Sequence, residues 1–525
     1  MFEQFQNIDR ENLAIASKQL WEILSPAIEY LSVEDREIVE LAFITMVEGH
    51  GEQRRKSGEF YIIHPVSACI ILAKIGLEKD TLAACLLHDV PEDTHITLKE
   101  LDKNFSKEIV FLVEGVTKLG KIKYYGSPEY IENLQRMFVA MSKDLRVILI
   151  KLADRLHNLH TLQHVKPEKQ QRIALESVEI YAPIAERLGI SFFRGEIEDA
   201  AFNYLFPQEF DEYCTLTKLE FKLRQNDLDF ISKRTNEILK QETDIDFQLK
   251  GRAKRYYSIH RKLLDKNKTI ENIYDLIAMR VVVENIDDCY NILAILHRYF
   301  TPIPGKFKDY IKLPKKNGYQ SIHTIVKDED SGLVFEFQIR TEEMNKFAEF
   351  GVAAHWRYKD KNKRDFLKKG NFEWIEELIK LRSEDWAEAD YMKYVKLDLF
   401  KDRIFVMTPK DKPIDLPVGA TPLDFAFKIH DQIGSKAIMA MINGKSCSLD
   451  STLKNGDIVE IVTQKNQKPT RDWLKIVKTV NAARHIRQIL RRSGEQFPEQ
   501  RNLKKIALSN KHLTKPHSNR VAGKK

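Results

Sequence analysis

Residues 86–93 read Leu-Leu-His-Asp-Val-Pro-Glu-Asp and place an adjacent histidine and aspartate at the end of an apolar helical run. Helical spacing puts each member of the His88-Asp89 pair one turn before a carboxylate, Glu92 or Asp93. The proline between the two pairs removes one backbone hydrogen bond, so we predict that the helix bends there. The stretch therefore predicts a helical domain that carries imidazole and carboxylate groups on an apolar scaffold.

Two other segments offer matching metal ligands. His64 stands before a proline suited to the first turn of a helix. Asp154 lies in Lys-Leu-Ala-Asp-Arg-Leu-His-Asn-Leu-His-Thr at 151–161, where it shares a helical face with Asn158 and Thr161. Two imidazoles and two carboxylates suit a divalent transition ion, which turns water into a nucleophile near neutral pH. The predicted ligands are His64, His88, Asp89 and Asp154, with Glu92 and Asp93 beside them to handle a water proton.

A structural interpretation of the same residues stays open. A single histidine on an apolar face is usually a core residue, and carboxylates on a helix usually face solvent. An adjacent His-Asp pair with separated His and Asp partners favours the metal site. Residues 1–195 are predicted to be almost entirely helical, because apolar residues recur at three- and four-residue spacing and sustained strand alternation is absent.

The composition is that of an ordinary soluble globular protein. The chain has 525 residues, enough for two to four domains, with 43% hydrophobic residues, 31% charged residues and a modest net charge of +7. Its five cysteines include no C-x-x-C pair, which argues against a disulfide framework and fits a reducing cytosol. The N-terminus lacks a signal pattern and no apolar run suits a membrane span, so we predict a cytoplasmic protein.

Beyond residue 195 the predicted character changes several times. A helical connector at 196–240 precedes a mixed α/β domain at 241–360. A charged helical linker at 361–399 leads to a compact, strand-rich, β-grasp-like unit at 400–465. Residues 466–525 are predicted to form a helical segment and a basic tail, since no acidic residue follows Glu499.

The mixed domain carries a second polar cluster. Strict alternation on the predicted strand 333–339 puts Glu336 on the face opposite the apolar residues of that strand. An acid on a central strand costs folding free energy unless it has a catalytic role or a polar partner. Asp275, at the mouth of the strand 276–283, can hold Mg²⁺. Three cations cluster at 252–255, and Tyr319 lies in a lysine-containing loop that could stack a purine. Such groups suit phosphoryl transfer, although each charge taken singly suits a solvated surface.

The residues of the first cluster resemble the HD phosphohydrolase superfamily. The flanking Arg-Lys-Ser-Gly-Glu at 55–59 and the 151–161 string narrow the likeness to the Rel/SpoT family of guanosine tetra- and pentaphosphate synthetase-hydrolases. The resemblance implies a manganese ion and release of pyrophosphate from the 3′ position of the nucleotide. It implies catalytic roles for Glu92 and Asp93. The implied nucleotide contacts are Arg55, Lys56, Asn158 and Thr161.

The second cluster is similar to the synthetase domain of the same family, which moves pyrophosphate from ATP to the 3′-hydroxyl of GDP or GTP. The motifs are G-R-x-K-x-x-Y-S at 251–258, D-L-x-A-x-R at 275–280, K-D-Y-I-x-x-P-K-x-N-G-Y-Q-S at 308–321 and E-x-Q-I-R-T at 336–341. The resemblance implies Asp275 as a magnesium ligand and Glu336 as the base or a second metal contact. The implied substrate contacts are the phosphate clamps Arg252, Lys254, Lys308 and Lys315, the guanine stacker Tyr319, and Ser258, Asn317 and His323.

The 402–463 region resembles a TGS domain, which in this family senses the acceptor end of tRNA, and His430 occupies the matching position. A β-grasp unit without RNA contact is an equal alternative. The long family members continue into cysteine-containing and ACT domains for which this sequence has no room, so we expect either a natural short form or a truncated chain.

The sequence thus predicts a bifunctional enzyme with an all-α hydrolase domain, a nucleotidyltransferase-like synthetase domain and a β-grasp TGS domain. Its predicted partners are ATP, GDP or GTP, (p)ppGpp and, through the TGS region, deacylated tRNA or the ribosome. Two alternatives stay open: a hydrolase with a regulatory synthetase fold, and a tRNA or ribosome sensor with secondary catalysis. Because both reactions together would waste ATP, we expect the two catalytic domains to oppose each other through the connector at 190–240, with the TGS unit as a further candidate route.

Overall fold

The structure, a computed structural model, describes residues 3–5, 7–117, 128–253, 255–266, 277–315, 318–354, 375, 403–410 and 412–494. The chain divides into two compact units, Met1–Glu373 and Trp374–Lys525. The predicted linker at 361–399, apart from residue 375, and the predicted tail beyond 494 lie outside the described residues.

The first part of unit one is helical, as predicted. Its helices are α1 (Leu13–Ala27), α2 (Val33–His50), α3 (Ile63–Ile75), α4 (Lys79–Leu87), α5 (Val90–Asp93), α6 (Leu98–Asn104), α7 (Lys107–Thr117), α8 (Pro128–Lys143), α9 (Arg146–His160), α10 (Pro167–Glu176), α11 (Ala182–Arg187), α12 (Ser191–Leu205) and α13 (Pro207–Glu242). A π-helical turn, Ser177–Tyr181, separates α10 from α11.

Helices α3, α4 and α9 form the buried centre of this helical part and pack against one another. Every residue of α3 except Lys74 is buried, and every residue of α4 after Asp80 is buried. Helices so apolar on all sides occur only in a core. Two of the polar residues that they carry into this core, His64 on α3 and Asp154 on α9, are therefore held by dense packing.

The helix interruption beside the His88-Asp89 pair lies two residues before its predicted position at Pro91. α4 ends at Leu87, and Pro91 occupies the first turn of the new helix α5. A proline has no N–H to donate to the carbonyl four residues earlier, which here belongs to Leu87. The interruption therefore falls on His88 and Asp89 themselves, between two helices, and both residues keep backbone angles in the helical region.

The predicted connector at 196–240 is helical and consists mainly of α12 and α13. α12 packs on α9 of the helical part, and it also packs on α14 (Tyr256–Lys266) and α16 (Glu342–Phe350) of the following domain. A Cβ on Gly195 would lie 2.1 Å from Arg255 Nε, so only glycine lets the arginine cross α12. α12 is thus a structural element common to both parts of unit one.

The mixed domain is built on a six-stranded sheet. Its main path runs β1 (Phe247–Ala253), β2 (Ile277–Val283), β6 (Val334–Thr341), β5 (Ile322–Lys327) and β3 (Thr301–Pro302), and β4 (Lys308–Asp309) pairs with β5. β2 and β6 are parallel, and the other pairs are antiparallel. α15 (Ile286–Tyr299) covers the apolar face of the sheet, where Phe335, Phe337 and Ile339 are buried. The alternation predicted for 333–339 is confirmed, because Glu336 lies on the opposite face.

Unit two contains a small two-sheet module. β7 (Arg403–Met407) pairs with β8 (Pro413–Pro417), and β9 (Ala437–Ile442) lies between β10 (Lys445–Cys447) and β11 (Val459–Thr463). Its helices are α17 (Pro422–Ile429), α18 (Asp431–Ser435), α19 (Trp473–Ile476) and α20 (Val480–Arg492).

One buried carboxylate ties α20 to this module. Asp424 completes a capping box with Thr421 at the start of α17. Its carboxylate also accepts hydrogen bonds from the backbone N–H groups of Lys478 and Thr479, at 2.9 and 2.8 Å.

Among the described helices of the chain, none combines the length and the apolar composition needed to cross a membrane.

Candidate metal and nucleotide sites

The four predicted metal ligands lie together in the helical core. Ligand atoms of His64, His88 and Asp154 all lie within 4.8 Å of one another, and the three residues are buried. His64 Nε2 is 3.3 Å from Asp154 Oδ1, and Asp89 Oδ2 is 3.7 Å from His64 Nε2 and 3.2 Å from His88 Nε2. Residues from α3, α9 and the α4–α5 junction therefore converge on one point.

The protonation of His88 fits a metal ligand. Its Nδ1–H donates to the Cys85 carbonyl at 2.7 Å, which leaves the lone pair of Nε2 facing the cluster. That Nε2 is buried and makes no well-aligned hydrogen bond, although Asp89 Oδ2 lies 3.2 Å away. A buried nitrogen without a partner is costly unless a cation or a proton fills the position. The donor set of two imidazoles and two carboxylates suits a divalent ion.

The pKa values of the two histidines in the cluster are shifted in opposite directions. Burial, helped by the Arg55 guanidinium, lowers the pKa of His64 to about 4, so this ring is neutral and able to coordinate. Burial opposes protonation of His88, but the Asp89 carboxylate outweighs it and raises the pKa of His88 to about 9. A proton and a metal ion compete for the same Nε2 lone pair, so metal binding would release that proton.

Asp154 has a cationic neighbour that the sequence argument missed. Lys151 Nζ lies 2.7 Å from Asp154 Oδ2, and both residues are buried. Burial raises the pKa of Asp154, but the Lys151 ammonium and the two histidines, His64 and His88, together outweigh burial and hold that pKa well below its usual value. The spacing of three residues between them in the 151–161 string was the available signal, since i,i+3 side chains meet on a helix.

Tyr61 is a second residue that the sequence argument missed. Its hydroxyl donates to Asp89 Oδ2 at 2.8 Å and lies 3.2 Å from Asp93 Oδ2. The phenol therefore joins a predicted metal ligand to a predicted catalytic carboxylate. Glu92, the other predicted catalytic carboxylate, is half-buried.

Two of the four predicted nucleotide contacts connect to the metal cluster, Asn158 directly and Arg55 through Asn158. Arg55 Nη2 donates to Asn158 Oδ1 at 2.5 Å, and Asn158 Nδ2 donates to Asp154 Oδ1 at 2.5 Å. Lys56 is exposed. The Thr161 hydroxyl lies 3.3 Å from the His157 carbonyl at the end of α9, within its own helix. Arg55 and Asn158 thus form the wall of the cluster that a phosphate could approach.

The second site lies on the polar face of the sheet around Glu336. His323 Nδ1 is 2.7 Å from Glu336 Oε1, and the Tyr319 hydroxyl is 2.7 Å from His323 Nε2. Arg340 Nη2 donates to the same hydroxyl at 3.1 Å, and Gln338 Nε2 donates to Glu336 Oε2 at 3.0 Å. The acid on the central strand is therefore paired, as its position requires.

Cations and aromatic rings surround this network. Lys315 Nζ lies 4.8 Å from the ring centre of Tyr310 and 5.1 Å from that of Tyr319. Arg340, which is 1% exposed, lies with its Cζ 5.4 Å from the Tyr319 ring. Lys308 faces His323 in the β4–β5 pairing and is exposed. The cluster is cationic around one carboxylate, which suits a polyanionic ligand.

Three predicted residues of this site, Lys254, Asp275 and Asn317, lie outside the described residues. Arg252 belongs to β1, where it pairs with Ala278, and its side chain is not described. Ser258 is half-buried on α14.

Arg255, one of the three cations at 252–255, forms ion pairs with carboxylates of α12. Its Nη1 lies 2.9 Å from Glu196 and 3.3 Å from Asp199, both on α12. This cation joins two elements of the fold and does not point to a phosphate role.

Fold and sites together define a chain with an HD-type helical domain, a nucleotide synthetase-like domain and a β-grasp domain. Comparison with known families gives matches in the same order. Residues 42–191 match the HD domain, residues 251–363 match the region found in RelA / SpoT proteins, and residues 404–463 match the TGS domain. The chain belongs to the Rel/SpoT family.

Individual relatives agree with this assignment. The chain is 45% identical over 86% of its length to a probable guanosine-3′,5′-bis(diphosphate) 3′-pyrophosphohydrolase of Synechocystis, and spans 60% of that protein. It is 40% identical over 90% of its length to the bifunctional (p)ppGpp synthase/hydrolase SpoT of Escherichia coli, and spans 67% of that protein. A solved small alarmone synthetase 1 from Bacillus subtilis covers 32% of the chain and 95% of its own, at 22% identity and a TM-score of 0.23, which adds nothing to the assignment.

Proposed function

We propose that this chain both makes and breaks (p)ppGpp: it transfers pyrophosphate from ATP to the 3′-hydroxyl of GDP or GTP, and it hydrolyses the product to GDP or GTP and pyrophosphate. The observation that carries the hydrolytic half is the buried His64, His88 and Asp154 cluster with Asp89 beside it. The names of the relatives support both halves.

For hydrolysis, the four ligands would hold Mn²⁺. When bound, such an ion supplies Lewis-acid polarisation and a water of lowered pKa. Glu92 and Asp93 would manage the water proton, and Tyr61, which hydrogen-bonds to Asp89 and Asp93, would orient their carboxylates. The nucleotide contacts would be Arg55, Lys56, Asn158 and Thr161.

For synthesis, Asp275 and Glu336 would hold Mg²⁺, with Glu336 also placed to accept the proton of the attacking 3′-hydroxyl. His323 would keep the Glu336 carboxylate oriented through their 2.7 Å contact. Tyr319 would stack on guanine once a phosphate draws Lys315 away from its ring. The remaining substrate contacts would be Arg252, Lys254, Ser258, Lys308 and Asn317.

The test is a product assay on the full chain and two single variants. Wild type with Mg²⁺, ATP and GDP should yield AMP and ppGpp, and with Mn²⁺ it should release pyrophosphate from ppGpp. Glu336→Gln should abolish synthesis and spare hydrolysis, and Asp89→Ala should do the reverse, so each variant is the folding control of the other. A wild type that makes no ppGpp would leave only the hydrolase, and turnover of ppGpp by Asp89→Ala would contradict the ligand set.

We further propose that the chain acts in the cytoplasm, with domain boundaries near 195, 240, 360, 399 and 465, and that the TGS region contacts deacylated tRNA or the ribosome. His430 Nδ1 accepts from the Gln432 backbone N–H at 3.2 Å, so the ring is held in place at the start of α18. His430→Asn, in which Oδ1 can retain that cap, should weaken tRNA binding without loss of thermal stability. Unchanged tRNA affinity in a gel-shift titration would favour a TGS unit without RNA contact.

A further inference from the structure

His157 lies beside the metal cluster, between His64 and Arg55, although it is not one of the predicted ligands. It lies on α9, three residues after Asp154, and its side chain is almost completely buried. Its Nδ1 is 2.8 Å from His64 Nδ1 and 3.1 Å from Arg55 Nη1. One nitrogen of His157 therefore contacts both a metal ligand and a predicted nucleotide contact.

The chemistry of the partners determines which nitrogen carries the proton. His64 directs Nε2 to Asp154 and Asp89, where the ion would lie, so its Nδ1 bears the hydrogen and donates. An arginine can only donate. The Nδ1 of His157 must accept from both, and a neutral imidazole has one lone pair at that nitrogen. Arg55 and His64 therefore share a single lone pair.

A second path connects the same residues. Arg55 Nη2 donates to Asn158 Oδ1, and Asn158 Nδ2 donates to Asp154 Oδ1, which lies 3.3 Å from His64 Nε2. Four hydrogen bonds therefore join Arg55, His157, His64, Asp154 and Asn158, and the gap between His64 Nε2 and Asp154 Oδ1, where the ion would lie, closes the ring. Arg55 and Asn158 are half-buried, whereas the other three members are buried, so a ligand from solvent can reach these two, and Arg55 is the one that carries a charge.

We propose that His157 is a positioning residue of the hydrolase site, whose one Nδ1 lone pair is divided between Arg55 and the metal ligand His64. When the phosphate of a nucleotide draws Arg55 away, His64 gains the whole lone pair, becomes a stronger donor to the metal and binds it more tightly. The role of Arg55 as a phosphate contact rests on the proposed function, whereas the effect of His157 on metal binding rests on the cluster alone. Metal and phosphate binding would then strengthen each other reciprocally.

The test uses Mn²⁺ alone as the probe, with free Mn²⁺ followed by electron paramagnetic resonance during titration of the full chain. His157→Leu should lower Mn²⁺ affinity about tenfold or more, as loss of an outer hydrogen-bond partner does at other metal sites. His157→Asn should restore most of the affinity, because its Oδ1 stands near the position of Nδ1 and accepts two hydrogen bonds. If His157 only filled space, the leucine and asparagine variants would bind Mn²⁺ with equal affinity.

Arg55→Met separates lone-pair sharing from simple charge repulsion. Removing the cation should tighten Mn²⁺ binding in the wild-type background through both effects. In the His157→Asn background only the charge effect remains, because the amide oxygen has a lone pair for each donor. The increase in Mn²⁺ affinity caused by Arg55→Met should therefore be several-fold smaller in the His157→Asn background. A double-mutant cycle measures this non-additivity.

Two outcomes would overturn the proposal. Equal Mn²⁺ affinity of wild type and His157→Leu would remove the positioning role, and equal effects of Arg55→Met in both backgrounds would remove the shared lone pair. If His157→Leu does not fold, as judged by circular dichroism, the Arg55→Met cycle still decides, since Arg55 is half-buried. A chain that shows these Mn²⁺ differences but releases no pyrophosphate from ppGpp would refute the proposed function and leave this inference standing.

Discussion

At the scale of single residues, the unusual feature of the helical core is a lysine placed beside a metal ligand. Lys151 and Asp154 are both buried and their charged atoms are 2.7 Å apart. A buried ion pair adds little stability by itself, but removing one partner leaves an uncompensated charge. The pair therefore allows Asp154 to stay ionised in the core before a metal ion arrives.

We predict that Lys151→Met lowers the free energy of unfolding of the metal-free chain by about 3 to 5 kcal/mol. Added Mn²⁺ should recover part of this loss, because the ion also compensates the Asp154 charge. Thermal melts with and without Mn²⁺ measure both effects, and Lys151→Arg is the control that keeps the charge. A melting temperature unchanged by Lys151→Met in the metal-free state would contradict this account.

At the scale of elements, α12 and α14 meet through a cluster of rings around His260. Its ring centre is 4.9 Å from Phe202 and 4.7 Å from Phe206, and the side chain is 3% exposed. Burial lowers the pKa of His260, against a small opposing effect of Glu209. The imidazole thus packs in its neutral form as one more aromatic ring.

This burial predicts a direction of pH dependence. The unfolded chain takes up a proton on His260 near its usual pKa of about 6.5, whereas the folded chain does so only at lower pH. The free energy of unfolding should therefore fall as pH drops below about 6.5, by at most about 1.4 kcal/mol per pH unit for this one group. Denaturant unfolding at pH 7.5 and 5.5 measures the change. His260→Phe should lose that share of it, and an identical pH dependence in both proteins would argue against the interpretation.

At the scale of the whole molecule, one helix packs against both the helical part and the mixed domain of unit one. α12 packs on α9, which carries Asp154 and Asn158, and receives Arg255 from the segment that follows β1. The Arg255 contacts with Glu196 and Asp199 lie next to the predicted phosphate clamp Lys254 in the chain. A ligand that moves this segment would act on α12 and through it on α9.

We therefore predict that a non-hydrolysable ATP analogue changes the rate of ppGpp hydrolysis by wild type, and that Arg255→Met reduces this change. The size of an allosteric effect is typically about 5- to 150-fold. Gly195→Ala is the matched variant, since its Cβ would displace Arg255 without altering charge. If the analogue leaves hydrolysis unchanged in wild type, the two sites are not coupled through this helix.

Much of the fold could be predicted from the sequence because its signals are local. The helical periodicity before residue 195 and the strand alternation at 333–339 depend on neighbours a few positions apart. The position of the helix interruption was off by two residues, because a proline acts on the carbonyl four residues before it.

The sequence by itself determined which residue types would meet: two imidazoles, two carboxylates and, in the second domain, an acid among cations. Only the tertiary structure decided how they are partnered. No local pattern records the contact of Lys151 with Asp154, the contact of His157 with His64, the tyrosine that joins Asp89 to Asp93 or the turn of Arg255 toward α12. The physical reason is that hydrogen bonds and ion pairs depend on atomic distances between chain segments, which packing of the core fixes and periodicity does not.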